Sequence, residues 1–326
     1  MATIQDIADA AGISKAAVSR ILNHKGSFSQ ETIRKVEDIA RKLNYISVSA
    51  ARQEEAEGIK LIAAVFPTQI TPYYGILTSL MEGYAYDYGY HLMLCGSLYD
   101  YEKEEELFRN LTDRKIKGIL LGSFVKDGAS IAAQSLPVVT IGYQINEEVP
   151  TVRTDNYSGG RIAALHLCGK GCKKLLYLTG FEDGLEKDLR YQGFRDTLKK
   201  QGKDVYPYTI TLDQKLNGTI QDVITRMALE HPDADGLFAE SQRLAMESIA
   251  VYRNLGIEVP SSMKIVGYGN PYLLPYSSPK LSLIRENTAE IARQAVEVLV
   301  QMIERPEEPV PPVTVIPVSF EQNQTT

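Results

Sequence analysis

Twice along this chain, short apolar runs of strand character alternate with stretches of helical periodicity, and that rhythm limits the fold more than any other feature. The first series is IKLIAAVF, HLMLCGS, GILLGS and PVVTIG, with helical stretches including 73–88 and 102–115 between them. The second is KLLYLTG, DGLFAE and MKIVGYG, separated by helices near 187–201, 217–230 and 242–255. Short apolar runs spaced by helices fit the buried strands of parallel sheets. Two such series predict an α/β core of two lobes with parallel doubly wound sheets, with ligand space at the carboxyl ends of the strands. An amphipathic helix at 289–304, a proline-rich surface loop RPEEPVPP and a last strand VTVIPVSF complete this region.

The first fifty residues break the rhythm and read as all-α. Thr3, with Asp6 three positions on, signals a helix start ahead of Ile4, Ile7, Ala8 and Ala11, which recur at helical spacing. Gly12 ends that helix, and Ser14 caps a second with Val18, Ile21 and Leu22 on its inner face. A third begins near Ser29 and buries Ile33, Val36, Ala40 and Leu43. Three short helices with a glycine-containing turn between the first two match a helix-turn-helix module.

The outward face of the second helix carries Lys15, Ala16, Ser19, Arg20 and Asn23. Lys15 and Arg20 supply long donors for guanine edges in a major groove. Ser14, Ser19 and Asn23 suit phosphate oxygens, while Ala16 and Ala17 allow close approach or contact with a thymine methyl. The plainer alternative is a structural bundle with a solvated charged face. Charge placement favours the nucleic-acid reading. Of the net −6, residues 1–52 carry +3, from eight Lys/Arg against five Asp/Glu, which leaves −9 on the remainder. A basic end on an acidic body is the asymmetry expected when only the end meets a polyanion.

Several function classes find no support. No apolar run approaches the ~20 residues of a membrane span, and MATIQDIADA has neither the basic start nor the apolar stretch of a secretory signal. With an odd count of three cysteines, a reduced, cytoplasmic protein is expected. His166, Cys168 and Cys172 in HLCGKGC offer soft or borderline metal ligands, but their spacing matches no common site and a fourth ligand is not evident. No Gly-x-Gly-x-x-Gly, Walker-type loop or Gly-x-Ser-x-Gly elbow occurs, so neither a cofactor nor catalysis is expected.

The segment GISKAAVSRILN is similar to the recognition segment of the lactose/galactose-repressor family, G-[VI]-S-x-x-T-V-S-R-[VI]-L-N, and TIRKVEDIARKLNY resembles that family's third helix. TDNYSGGRIAALHL, LRYQGF and SSMKIVGYGN extend the resemblance over essentially the whole chain. It implies a helix-turn-helix DNA-binding domain at 1–45, a hinge at 46–58 and a periplasmic-binding-protein-like effector and dimerisation core at 59–326. The implied lobes are 59–160 with 288–317, and 161–287 with 318–326, the chain crossing between them near 160, 287 and 318. Thr3 and Thr32 join Ser14, Lys15, Ala16, Ala17, Ser19, Arg20 and Asn23 as DNA-binding candidates. Ala17 replaces the family's usual threonine.

For the core, the resemblance implies a small molecule, usually a sugar, between the lobes. Carried over residue by residue, Arg190 matches the effector-binding arginine, Asp155 its aspartate, and Tyr73 with Tyr74 the large pair after the first strand. Glu286 and Asn270 take other lining positions. Arginine forks and carboxylates suit vicinal hydroxyls, and tyrosines suit sugar faces. An ion pair between lobes is the alternative role for Arg190. Two departures stand out: Ser241-Gln242 where Asn-Asp is typical, and Gly269 where an aspartate is typical. The carboxylate usual on that side of the cleft is thus expected to be absent.

The expected function is a homodimeric transcriptional repressor of a carbohydrate-utilisation operon, binding double-stranded operator DNA under control of a sugar-type effector. The alternatives are a regulator of the same fold whose core answers to a protein partner or to no small molecule, and a sugar-binding module with a vestigial head. The hinge keeps Tyr45, Ala51 and Arg52 but has Ser47 and Val48 for the family's Pro and Asn, and Glu54 for its minor-groove leucine. A carboxylate is repelled by phosphates, so this hinge is expected not to intercalate.

Overall fold

In the computed structural model, which describes residues 3–22, 26, 28–42, 59–68, 71–112, 116–122, 136–180 and 184–326, contacts separate two units, Met1–Lys60 and Leu61–Thr326. The first unit holds three helices, α1 (Ile4–Ala11), α2 (Lys15–Leu22) and α3 (Gln30–Lys42). Thr3 and Asp6 form a capping box at α1, and Gly12 ends that helix in the left-handed region at φ 72°. Ala17 N donates to Ser14 Oγ at 3.2 Å, capping α2. Ile7, Ala8, Ala11, Val18, Ile21, Val36 and Ala40 meet in a buried core. Lys35 Nζ donates to the Ala11 carbonyl at 3.0 Å, tying α3 to the end of α1. Leu43, expected in this core, lies outside the described residues.

The second unit contains, among the described residues, two six-stranded sheets. The first is built from β1 (Leu61–Phe66), β2 (His91–Gly96), β3 (Ile116–Leu121), β4 (Val138–Ile141), β5 (Thr151–Thr154) and β11 (Val313–Ile316), in the order β11-β5-β4-β3-β1-β2. All its pairings are parallel. The second has β6 (Leu175–Thr179), β7 (Val205–Thr209), β8 (Gly236–Ala239), β9 (Lys264–Gly269), β10 (Ser282–Arg285) and β12 (Ser319–Glu321), in the order β12-β10-β9-β8-β6-β7. Only its β10–β12 pairing is antiparallel.

Helices α4 (Pro72–Asp87), α5 (Tyr101–Thr112) and α11 (Thr288–Glu304) belong to the first sheet. Leu77 and Met81 of α4 share its core with Ile291, Ala295 and Leu299 of α11. Helices α6 (Asn156–Gly169), α7 (Leu189–Lys200), α8 (Leu212–Asn217), α9 (Ile220–Glu230) and α10 (Gln242–Asn254) belong to the second lobe. The helix expected near 217–230 is α9, which Ile220 opens; the shorter α8 precedes it and ends at Gly218, φ 73°.

The strand expected at VTVIPVSF is two, β11 in the first sheet and β12 in the second. Pro317, which has no N–H to donate to a ladder, lies between them, where the chain crosses from sheet to sheet. The other crossings fall at 155 and 286–287. The first sits ahead of position 160 because α6 packs on α7 and the second sheet. Strands β5, β7 and β10 fall outside the apolar runs named above. TVRT is too short and polar, and VYPYT carries Pro207, which is tolerated because β7 is an edge strand.

Candidate ligand cleft and DNA-binding surface

Both sheets share one winding, with the order reversing between β1 and β3 and again between β6 and β8. Ligand sites form at the carboxyl ends of strands beside such switch points. A cavity of about 760 Å³ lies there, lined from the first lobe by Tyr73, Tyr74, Ile141 and Tyr143, and from the second by Asp188, Arg190, Glu240, Gln242, Tyr268 and Glu286.

Arg190 is placed by three successive layers of structure. Asp188 caps α7, its Oδ1 accepting from the backbone of Arg190 at 3.0 Å and of Tyr191 at 3.2 Å. Its Oδ2 accepts from the Tyr177 hydroxyl at 2.7 Å. Helix α7 then crosses α6 at backbone contact: a Cβ on Gly160 would lie 2.0 Å from the Arg190 carbonyl oxygen, and one on Gly193 would lie 2.0 Å from that of Tyr157. A Cβ on Gly159 would strike the Tyr268 ring at 2.5 Å. The glycines of SGG and QGF therefore let the two helices close and leave room for the ring beneath the guanidinium, which stacks on Tyr268 at 3.8 Å.

The guanidinium donates from Nε to Asn156 Oδ1 at 2.9 Å and from Nη1 to the Glu240 carbonyl at 2.6 Å, and its Nη2 stands 3.6 Å from Glu286 Oε1. Of the five N–H groups of an arginine, each terminal nitrogen keeps one beyond these contacts. Burial works against the charged guanidinium, but Tyr268, Glu286 and Glu240 outweigh it and lift its pKa above the usual arginine value. Burial pushes the Glu286 carboxyl up from the ordinary range, against the opposing pull of Arg190. Glu286 belongs to the segment leaving β10 of the second sheet, so this ion pair is made within one lobe rather than between the two.

Tyr73 and Tyr74 line the first-lobe side, Tyr74 packed on Phe66 at 5.0 Å between ring centres. Asn270 lines the cavity too, but both ends of its amide are engaged, by Tyr272 N at 2.8 Å and Thr288 Oγ1 at 2.7 Å. Asp155 is not brought to the cavity wall. Its carboxylate caps α6 by accepting from Ser158 N at 3.0 Å, and the neighbouring Asn156 lines the cavity instead.

The expectation of a missing carboxylate also needs correcting. Strand β8 ends at Ala239, so the next two residues are Glu240-Ser241, and Glu240 puts a carboxylate on that wall. Its Oε1 accepts from Gly180 N and its Oε2 from Thr179 Oγ1, both at 2.7 Å. Asn156, Asp188, Glu240 and Tyr268 were missed because each is defined by a strand end or helix crossing rather than by a local pattern.

The residues of HLCGKGC serve packing. His166 Nε2 lies 2.9 Å from Thr326 Oγ1, and Cys172 is buried, with burial pushing its thiol up to about 11. No group of three or more His, Cys, Asp or Glu among the described residues is placed to hold a metal ion.

In the first unit, Lys15, Ala16 and Arg20 are exposed on α2, and Ala17 and Ser19 are half-buried. Thr3 spends its hydroxyl on the α1 capping box, and Thr32 Oγ1 pairs with Ser29 Oγ at 2.7 Å. Asn23 and the hinge 46–58, with Ser47, Val48 and Glu54, lie outside the described residues. Among those described, no helix is long and apolar enough to cross a membrane.

A helix-turn-helix unit followed by a core of two doubly wound lobes around a polar cleft defines a ligand-responsive DNA-binding regulator. The comparisons agree. Residues 3–47 match the lacI family of bacterial regulatory proteins, and residues 164–326 match a periplasmic binding protein-like domain. The chain belongs to this lacI family of transcriptional regulators.

The ribose operon repressor of Halalkalibacterium halodurans is 28% identical over 306 residues, covering 94% of this chain and 91% of that protein. A periplasmic binding protein/LacI transcriptional regulator from Alkaliphilus metalliredigens, solved with D-xylulofuranose, is 26% identical with a TM-score of 0.72, covering 82% of this chain and 99% of that one. The lac repressor dimer bound to operator and the anti-inducer ONPF shares the fold, with a TM-score of 0.78 at 19% identity over 99% of this chain and 98% of that one.

Proposed function

We propose that this chain is a cytoplasmic, homodimeric repressor of a carbohydrate-utilisation operon. Two copies of α2 read successive half-sites of a near-palindromic operator, and a sugar-type effector in the core cleft changes the affinity for that DNA. No catalytic residue is assigned. The observation that carries the reading is Arg190, stacked on Tyr268 and lining, with Tyr73 and Tyr74, a cavity of about 760 Å³. An arginine fork beside aromatic rings suits vicinal hydroxyls on a ring with an apolar face. The naming of a ribose operon repressor and a D-xylulofuranose complex among its relatives supports the same ligand class.

On α2, Lys15 and Arg20 are assigned to base edges and Ser14 and Ser19 to phosphates. Fluorescence anisotropy with duplexes from the gene's own upstream region tests this half. Lys15→Ala and Arg20→Ala are each expected to weaken specific binding by about 1–3 kcal/mol. Unchanged binding in both variants would remove α2 from the reading. A thermal-shift screen with sugars tests the cleft. Stabilisation by none of them would favour a core that answers to a protein partner.

A further inference from the structure

The three passages of the chain between the lobes meet at one buried residue. Thr154 ends β5, one position before the crossing at 155, and is 3% exposed. It pairs with Ile316, the last residue of β11 ahead of the crossing at Pro317. Its Oγ1 lies 3.4 Å from Oε1 of Glu286, which stands at the remaining crossing. The same oxygen lies 2.9 Å from Asn156 Oδ1 and accepts from the Tyr268 hydroxyl at 3.2 Å.

These three side-chain partners belong to the second lobe, and each also touches Arg190. Arg190 Nε donates to Asn156 Oδ1 at 2.9 Å, the guanidinium stacks on Tyr268 at 3.8 Å, and Nη2 stands 3.6 Å from Glu286 Oε1. Thr154 Oγ1 is thus a first-lobe atom set into the second-lobe cage around Arg190.

The hydroxyl of Thr154 has one proton to give and two acceptors within reach. An arginine has no acceptor, so the Asn156 atom facing its Nε is the amide oxygen, which accepts only; a carboxylate oxygen likewise accepts only. The proton goes to Asn156, one residue past the crossing at 155, or to Glu286, at a different crossing. At 2.9 Å against 3.4 Å, the arrangement in this structure favours Asn156.

We propose that Thr154 is the positioning residue through which an occupied cleft acts on the two lobes. A ligand that draws Arg190 away from Glu286 leaves that carboxylate to the Thr154 proton. The hydroxyl then turns from Asn156 to Glu286 and ties the crossing at 155 to the crossing at 286–287. A bond between two crossings holds a different lobe arrangement from a bond within one. The proton has two seats, so this is a discrete two-state element that the ligand biases. The assignment rests on the cleft being an effector site coupled to operator binding.

The test uses the full-length chain and duplexes from the gene's own upstream region. Ribose, xylulose, glucose, sucrose and cellobiose are screened by thermal shift. The sugar that stabilises the wild type is titrated by calorimetry on wild type, Thr154→Val and Thr154→Ser, to set saturating amounts for each. Operator affinity is then read by anisotropy with and without that sugar. The wild-type dissociation constant should shift by about tenfold or more, and that of Thr154→Val, close in shape but without the proton, by less than about threefold. Thr154→Ser, which keeps the hydroxyl, should shift within about twofold of the wild type. Thr154→Ala repeats the measurement should the valine variant fail to fold.

A role in packing alone would lower the melting temperature of Thr154→Val and leave its operator shift at the wild-type value, which overturns the assignment. Loss of the shift in Thr154→Ser as in Thr154→Val overturns it too, and in both cases the effector reading stands. A wild type whose operator affinity no stabilising sugar moves, or that none of the sugars stabilises, overturns both.

Discussion

The two lobes of the core repeat one strand order, yet they bring unlike chemistry to the cleft between them. The first offers Tyr73, Tyr74, Tyr143 and Ile141, rings and aliphatic surface. The second offers Asp188, Arg190, Glu240, Tyr268 and Glu286, locked together by charged hydrogen bonds and a stacked ring. Charged groups hold a fixed geometry out of water only when their partners are themselves fixed. Topology thus determines where a cleft forms, while the packing beneath each wall determines whether that wall orients a ligand or covers it.

The difference extends to the helices behind each wall, and there the largest effect is expected. Gly160→Ala and Gly193→Ala put a methyl group against backbone at 2.0 Å, at the crossing that carries Arg190. Each should cost at least about 3 kcal/mol in denaturant unfolding, or prevent folding. Gly83→Ala in α4 of the first lobe meets nothing within 4 Å and should be neutral or stabilising by up to about 1 kcal/mol. Equal effects at the two places would erase the contrast between the lobes.

Next comes Arg190→Ala, which leaves the buried Glu286 carboxylate without its cation. A loss of about 2–3 kcal/mol in stability at pH 7 is expected, below the usual cost of breaking a buried pair because Arg190 is partly exposed. Effector affinity should fall about a hundredfold in the same protein.

A smaller effect tests the electrostatics of the second wall. Burial holds the Glu286 carboxyl above its ordinary value of 4.5, so the folded state binds more protons there than the unfolded chain. The sign follows from linkage: this group's contribution is fully present below 4.5 and is lost as pH rises through the raised value. Wild type should therefore lose stability relative to Glu286→Gln as pH rises from 4.5 toward neutrality. A pH-independent difference between the two proteins would contradict this. The smallest effect belongs to the first wall. Tyr73→Leu keeps apolar cover and should weaken the effector by about 1 kcal/mol without altering the pH dependence.

Much of this architecture was legible in the sequence, and what escaped follows a pattern. Apolar runs such as LIAAVF and LLYLT announce buried parallel strands because both faces are covered. The cap at Thr3, the stop at Gly12 and the inward stripe through Ile7, Val18 and Val36 were local signals, and the helices follow them. Arg190 was found by resemblance and Tyr73 and Tyr74 with it, but Asp155 shows the limit of that route. A carboxylate one residue from the cavity wall serves the first turn of α6, and Asn156 takes its place on the wall. Glu240 stands between the end of β8 and the Ser241-Gln242 pair that the resemblance picks out, so the family pattern passes over it. Gly159, Gly160 and Gly193 read as family motif letters until the helix crossing gave them a steric reason.

In the proposed function, one cleft anchored by Arg190 sets how tightly the helix-turn-helix unit holds its operator. The direct measurement is operator affinity by anisotropy, with and without saturating amounts of the sugar that stabilises the protein, in wild type and in Arg190→Ala. The sugar should shift the wild-type dissociation constant by about tenfold or more and leave that of Arg190→Ala unmoved. A sugar that binds the wild type yet leaves its operator affinity unchanged, or shifts both proteins alike, would contradict it.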